Sequence, residues 1–211
     1  MNAPSVASAP ESRPRVALEV ASAFVDLSNI FHGLQDQADR EAEWRTDVRL
    51  EAGRFQDLLR AGRPLVRSVV VANADVPKAA LDHFAAFGDV ITREAGRRTG
   101  TEQANDETLQ VRMYETIFGM PAGVLVLATG DGAGSAVGRG FIPVLEAARS
   151  KHWAIEVLGW GRSTNMRLRD WLQRTGGVFV DLADYYYSIS FIENCRRAQP
   201  ISLRHRSTAS R

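Results

Sequence analysis

Ala21-Ser22-Ala23-Phe24-Val25-Asp26-Leu27-Ser28-Asn29 decides how this chain is read. An apolar run of this length, with no polar alternation, is what a strand covered on both faces requires. It runs straight into an acid and then an amide. A second run, Val124-Leu125-Val126-Leu127-Ala128-Thr129-Gly130-Asp131, has the same form and also ends in an acid. Between them, Asp106 opens a predicted helix, and a Gly-rich loop from Gly130 to Gly140 follows the second acid. The pattern predicts a small α/β domain that gathers carboxylates at one edge of a parallel sheet to hold a divalent metal.

Working outward, strands and helices alternate. Strands are expected over Val20–Leu27, Val66–Ala74, Asp89–Arg93, Val124–Thr129, Trp153–Trp160 and Val178–Leu182, with an edge strand over Ser188–Ile192. Ser28 or Asn29 is expected to cap the helical segment after the first strand, which turns Ile30, Phe31 and Leu34 inward. Further helices are expected over Leu50–Ala61, from Pro77 to Gly88, and over Ala104–Phe118, Phe141–Lys151 and Met166–Arg174. In the Pro77 helix, Ala80, Leu81, Phe84 and Phe87 form the inner stripe, and Asp75 is read as its cap. Such alternation implies a parallel sheet with helices on both faces. Ligands then bind beyond the carboxyl ends of the strands.

Composition sets wide bounds. The 211 residues suit one domain with short tails. At 45% hydrophobic and 24% charged, the chain is in the ordinary globular range, so neither a membrane nor a disordered class is indicated. A formal net charge of +1 leaves any nucleic-acid affinity to local clusters. The lone cysteine, Cys195, excludes an internal disulfide and a Cys-based zinc site, which fits a reducing cytoplasm. Residues 1–19 read as a disordered leader without the pattern of a signal peptide, 20–192 as the domain, and 193–211 as a basic tail. No apolar run reaches membrane-spanning length.

The carboxylates carry the chemistry. Asp26 and Asp131 each end a strand of one parallel sheet, and the helix of Asp106 starts from the same edge. Asp106 also shares a helical face with Leu109 and Met113. Clustered acids repel and are costly to bury unless neutralised, and a hard cation with oxygen ligands does this. Such an ion can activate water and stabilise charge on a phosphoryl oxygen. Asn29 could hold a water, a neighbouring carboxylate or a phosphate. Taken singly, each acid is equally well read as a helix cap or turn former. Arg93, Arg97, Arg98 and Arg139 fall in loops of the same edge and suit RNA phosphates, or simply solvent. The Gly-rich loop lacks the Lys-Ser/Thr of a Walker A loop, yet could wrap a phosphate with backbone N–H groups. His32, His83, His152 and His205 have no ligand spacing, and Trp153, Trp160 and Trp171 are read as packing residues.

At these residues the chain resembles the NYN domain family, a branch of the PIN-like nuclease fold. The matching pieces are Phe24–Asn29, Gln103–Asp106, Leu127–Asp131, Phe141–Leu145, Ile155–Trp160, Asn165–Leu168 and Val178–Leu182. Their order and spacing hold from about Val20 to Tyr187. The resemblance implies a three-layer α/β/α sandwich with a mainly parallel central sheet, PIN-like. It implies a divalent-metal-dependent ribonuclease, an endonuclease using Mg²⁺ or Mn²⁺, with RNA as partner. Matched position by position, Asp26, Asn29, Asp106 and Asp131 form the catalytic site, the three acids being the metal ligands. The family pattern usually continues after the strand acid as Ser-Asp-Phe. Here Asp131 leads into Gly132-Ala133-Gly134-Ser135, and Gln110-Val111-Arg112 stands where relatives often carry another acid. The site is therefore thinner, or is completed by Glu102 or Glu107. The competing reading is a weakly active or inactive NYN-type module that binds RNA or protein. A small-molecule phosphatase needs Asp-x-Asp after the first strand, and Ser28 stands there instead. A second copy of the chain is a further candidate partner.

Overall fold

The computed structural model describes residues 20–73, 76–93, 101–129 and 140–193, with 93 and 101–104 in backbone only. The expected leader and the tail beyond residue 193 lie outside the described residues, as does Asp75.

The elements run β1 (Ala21–Asp26), α1 (Leu27–Arg40), β2 (Val48–Leu50), α2 (Ala52–Arg60), β3 (Leu65–Asn73), α3 (Lys78–Ala85), β4 (Asp89–Arg93) and α4 (Thr101–Gly119). They continue β5 (Val124–Ala128), α5 (Ile142–Ser150), β6 (Ala154–Gly159), α6 (Met166–Thr175), β7 (Val178–Asp181), α7 (Tyr186–Ile189) and β8 (Ser190–Ile192). Six strands form one sheet in the order β4-β3-β1-β5-β6-β7, and every pairing is parallel. The chain winds outward from β1 through β3 to β4. It then returns to the other side of β1 and winds through β5 and β6 to β7. The winding reverses between β1 and β5, which makes this the topological switch point.

Strand composition follows sheet position. All residues of β1 and β5 are buried, because each has a strand on either side and helices on both faces. The edge strand β7 is mostly half-buried. Alternate side chains feed two cores. Ala23 and Val25 join Ile30, Leu34, Phe55, Leu58 and Phe84 on the face covered by α1, α2 and α3. Phe24, Leu125 and Leu127 join Leu109, Met113, Leu145 and Trp171 on the face covered by α4, α5 and α6. The result is the expected three-layer α/β/α sandwich, PIN-like in arrangement. Trp153, Trp160 and Trp171 are all buried packing residues. Trp160 bridges layers: its indole N–H donates to the Ile30 carbonyl at 3.1 Å, and the ring lies so close to Gly33 that a Cβ there would fall 2.0 Å from it.

Several expectations are corrected. Asp26 itself, not Ser28 or Asn29, caps α1. Helix α4 begins at Thr101, so Asp106 stands in its second turn rather than opening it. Phe87 lies beyond the end of α3 and is exposed, while Phe84 alone of that helix is fully buried. Ser190–Ile192 pairs antiparallel with Val48–Leu50 in a separate small sheet instead of edging the large one. Val48–Leu50, three residues long, is too short for periodicity to reveal.

At the amino-terminal half of β6, the buried Glu156 receives a two-pronged bond from Arg63, at 2.8 and 2.7 Å. Burial lowers the Arg63 pKa from its ordinary value, and the guanidinium still stays charged at any working pH. Removing one member of a buried pair strands the other. Arg63→Ala is therefore expected to cost about 3–5 kcal/mol in urea unfolding, and Arg63→Met with Glu156→Leu far less.

Candidate metal centre

Asp26 is the last residue of β1 and only 1% exposed. Both of its carboxylate oxygens accept from Asn29. Oδ1 accepts from the Asn29 backbone N–H at 3.2 Å, and Oδ2 accepts from the Asn29 side-chain amide at 2.7 Å. The first bond is an N-cap; the second fixes the plane of the carboxylate. Of the roles open to Asn29, holding the neighbouring carboxylate is the one observed.

The next link is Ser28, whose hydroxyl accepts from the backbone N–H of Asn73 at 2.8 Å. Asn73 ends β3, the neighbour of β1. Its side-chain oxygen accepts from the Asn105 amide at 2.7 Å. Asn105 and Asp106 are adjacent in α4 and 1% and 8% exposed, so this bond ties the second turn of α4 to the carboxyl edge of the sheet. Helix α4 packs across both β1 and β3. Leu109 and Met113, on the same face as Asp106, are fully buried, as the helical spacing predicts. Asp26 and Asp106, 80 positions apart in sequence, thus both lie toward the carboxyl edge of the sheet.

Thr129, directly after β5, stands beside Asp26 across the switch point, and its buried hydroxyl has no hydrogen-bond partner among the described residues. Asp131, two positions further, lies outside the described residues, as do Arg97, Arg98, Arg139 and the Gly-rich loop. The backbone of Arg93 pairs with Asn73, which puts that position at the same rim. Asp181 also ends a strand here, but it accepts from the backbone N–H groups of Gly161 and Ala183. It stands on β7, three strand spacings or roughly 14 Å from β1, too far to share an ion with Asp26.

The described donors are carboxylate, amide and hydroxyl oxygens, the set that hard divalent cations prefer. Among the described residues no group of three His, Cys, Asp or Glu is close enough to hold an ion. Mg²⁺ ordinarily takes one or two protein carboxylates and fills its octahedron with water and phosphate. Asn73, Asn105 and Thr129 were not singled out by sequence reasoning, and Ser28 was read only as a helix cap. The available signal was position: Asn73 and Thr129 close the two strands that flank Asp26.

The NYN domain profile matches residues 21–175. The chain belongs to the NYN domain family. The NYN domain is a PIN-like nuclease family, and its nucleases generally depend on divalent metal. The match runs from the start of β1 to the end of α6, so it includes β1, β3, α4 and β5, the elements around Asp26 and Asp106. The fold is also similar to the crystal structure of a protein of unknown function from Vibrio parahaemolyticus, with a TM-score of 0.53 and 17% identity over 81% of this chain and 98% of that one. No curated protein matches the chain. Among the described residues no helix is long and apolar enough to cross a membrane.

The double role of Asp26 separates two variants of this NYN domain. Asp26→Asn keeps a cap oxygen and is expected to unfold within about 1 kcal/mol of the parent in urea titration. Asp26→Ala removes the cap and is expected to lose about 1–2 kcal/mol.

Proposed function

We propose that this NYN domain is a divalent-metal-dependent RNA endonuclease that hydrolyses phosphodiester bonds in single-stranded RNA or loops. The observation that carries the reading is the buried Asp26 carboxylate, oriented by Asn29 at the switch point of the sheet, with Asp106 on the same rim. Asp26, Asp106 and Asp131 are the residues that would hold Mg²⁺ or Mn²⁺. An ion bound there supplies an activated water and charge stabilisation on the scissile phosphate. Asn29 acts by holding Asp26 in place. Asn73 and Asn105 act by holding the start of α4 against the sheet. Arg93, Arg97, Arg98 and Arg139 bind the RNA backbone, which makes affinity fall with salt. The working unit is the domain over 20–192, and the single cysteine suits a cytoplasmic setting.

A catalytically weak RNA- or protein-binding module is the second reading. It is favoured by the sequence after Asp131, which lacks the family's usual second acid.

Purified protein incubated with structured RNA and Mn²⁺ or Mg²⁺ tests the proposal. Cleavage should require the ion, stop on chelation, and fall by at least about 100-fold in Asp26→Asn, Asp106→Asn and Asp131→Asn. Cleavage that survives unchanged in all three variants would sink it. Mn²⁺ binding without RNA cleavage would favour the second reading.

A further inference from the structure

Between helix α6 and the edge strand β7 lies a cavity of about 480 Å³, in the size range of small-ligand sites. Its walls differ in kind. Leu172 is buried and Phe179 half-buried, and together they make the apolar wall. The Arg169 guanidinium lies over the Phe179 ring, 5.0 Å from its centroid, and donates to the Gly161 carbonyl at 2.8 Å. These two contacts hold the guanidinium with one side toward the ring. Arg169 is exposed, so its far side is open to an incoming group. Asp170 and Gln173 also line the cavity, and their side chains make no hydrogen bond or ion pair among the described residues. Arg167 and Arg174 stand three before and four after Asp170, the spacing at which helical ion pairs form, yet neither pairs with it.

We propose that this cavity takes one unpaired guanine base of a bound RNA strand, resting on the RNA reading above for the polymer and on the cavity for the base. Local charge selects a polyanion. Residues 162–174 hold Arg162, Arg167, Arg169 and Arg174 against Asp170, four minus one or a net +3, whereas the whole chain carries +1. The far side of the Arg169 guanidinium suits a base, because unstacked RNA bases lie on guanidinium planes. An acid among these arginines repels phosphate and suits a base edge instead. An ionised carboxylate only accepts, so it pairs best with a base that offers two adjacent donors. Guanine does so through N1–H and the N2 amino group. Adenine, cytosine and uracil each offer one donor group beside an acceptor. The Gln173 amide, one turn along from Asp170, can then donate to the guanine O6.

The cavity is placed to serve the rim. Gly161 follows the carboxyl end of β6, and its N–H donates to Asp181 at the end of β7 at 2.9 Å. Helix α6 therefore starts from the same edge of the sheet as Asp26, with β7 roughly 14 Å from β1. Arg162, in the loop before α6, and Arg167, in its first turn, stand at that edge. A short run of nucleotides spans the gap, so a guanine held in the cavity sets which phosphate reaches Asp26.

Fluorescence anisotropy of the full chain with labelled oligouridines, in EDTA so that binding is read without cleavage, tests this. An oligomer with one central guanosine should bind about tenfold more tightly than the same oligomer with adenosine or cytidine there. Asp170→Asn changes an exposed side chain and should melt with the parent, and it should cut that preference to less than about threefold. Arg162→Gln with Arg167→Gln should weaken all the oligomers alike, lower the salt dependence and keep the preference for guanine. Free guanosine monophosphate lacks neighbouring phosphates and should compete only at concentrations at least about tenfold higher than the oligomer. A parent that binds no RNA or prefers no base overturns the proposal. So does a preference unchanged in Asp170→Asn, or a free nucleotide that competes as well as the strand. Cleavage without guanine preference removes this inference and leaves the endonuclease reading standing; guanine preference without cleavage does the reverse.

Discussion

Parallel hydrogen bonding leaves a strand no choice about where it ends. Once β1 pairs in parallel with both β3 and β5, the carboxyl ends of all three share one rim, and whatever residues follow them become neighbours. That constraint, more than any single contact, assembles Asp26, Asn73 and Thr129. The remaining member, Asp106, arrives because α4 crosses β1 and β3 and is fastened to the rim by the Asn105–Asn73 bond. Local hydrogen bonds then refine what topology has delivered. The Asn29 amide and backbone N–H together fix the Asp26 carboxylate, and the Ser28 hydroxyl fixes the end of β3.

The two ends of the sheet treat buried charge differently. At the amino-terminal half of β6, Glu156 is neutralised within the chain by Arg63. At the carboxyl rim, Asp26 and Asp106 are gathered with amides and hydroxyls. Amides can orient a carboxylate, but they do not cancel its charge. An ionic partner inside the chain suits a permanent scaffold. The same α/β layering accommodates both because they sit at opposite ends of the strands.

The strands were legible because burial on both faces leaves an uninterrupted apolar signature, as in Phe24-Val25 and in Val124–Ala128. The acids at their ends were legible for the same reason: they are where that signature breaks. What was not legible depended on partners distant in sequence. Val48–Leu50 is a strand only because Ser190–Ile192 lies beside it. Asn73 and Asn105, 32 positions apart, look like ordinary strand-end and helix residues until the fold brings their amides together. The start of α4 was misplaced by three residues because Thr101, Glu102 and Gln103 carry no apolar period to extend.

Trp160 gives the molecule an internal gauge. Its indole is buried between α1 and the sheet, bonded to the Ile30 carbonyl and pressed on Gly33. Trp44, by contrast, is 80% exposed. A soluble quencher of fluorescence will silence Trp44 first and leave an emission dominated by indoles held within the layers. Because α1 is capped by Asp26, any rearrangement at the rim that shifts this helix also shifts the cage around one of those emitters. The optical spectrum of the unlabelled chain thereby registers events at the rim.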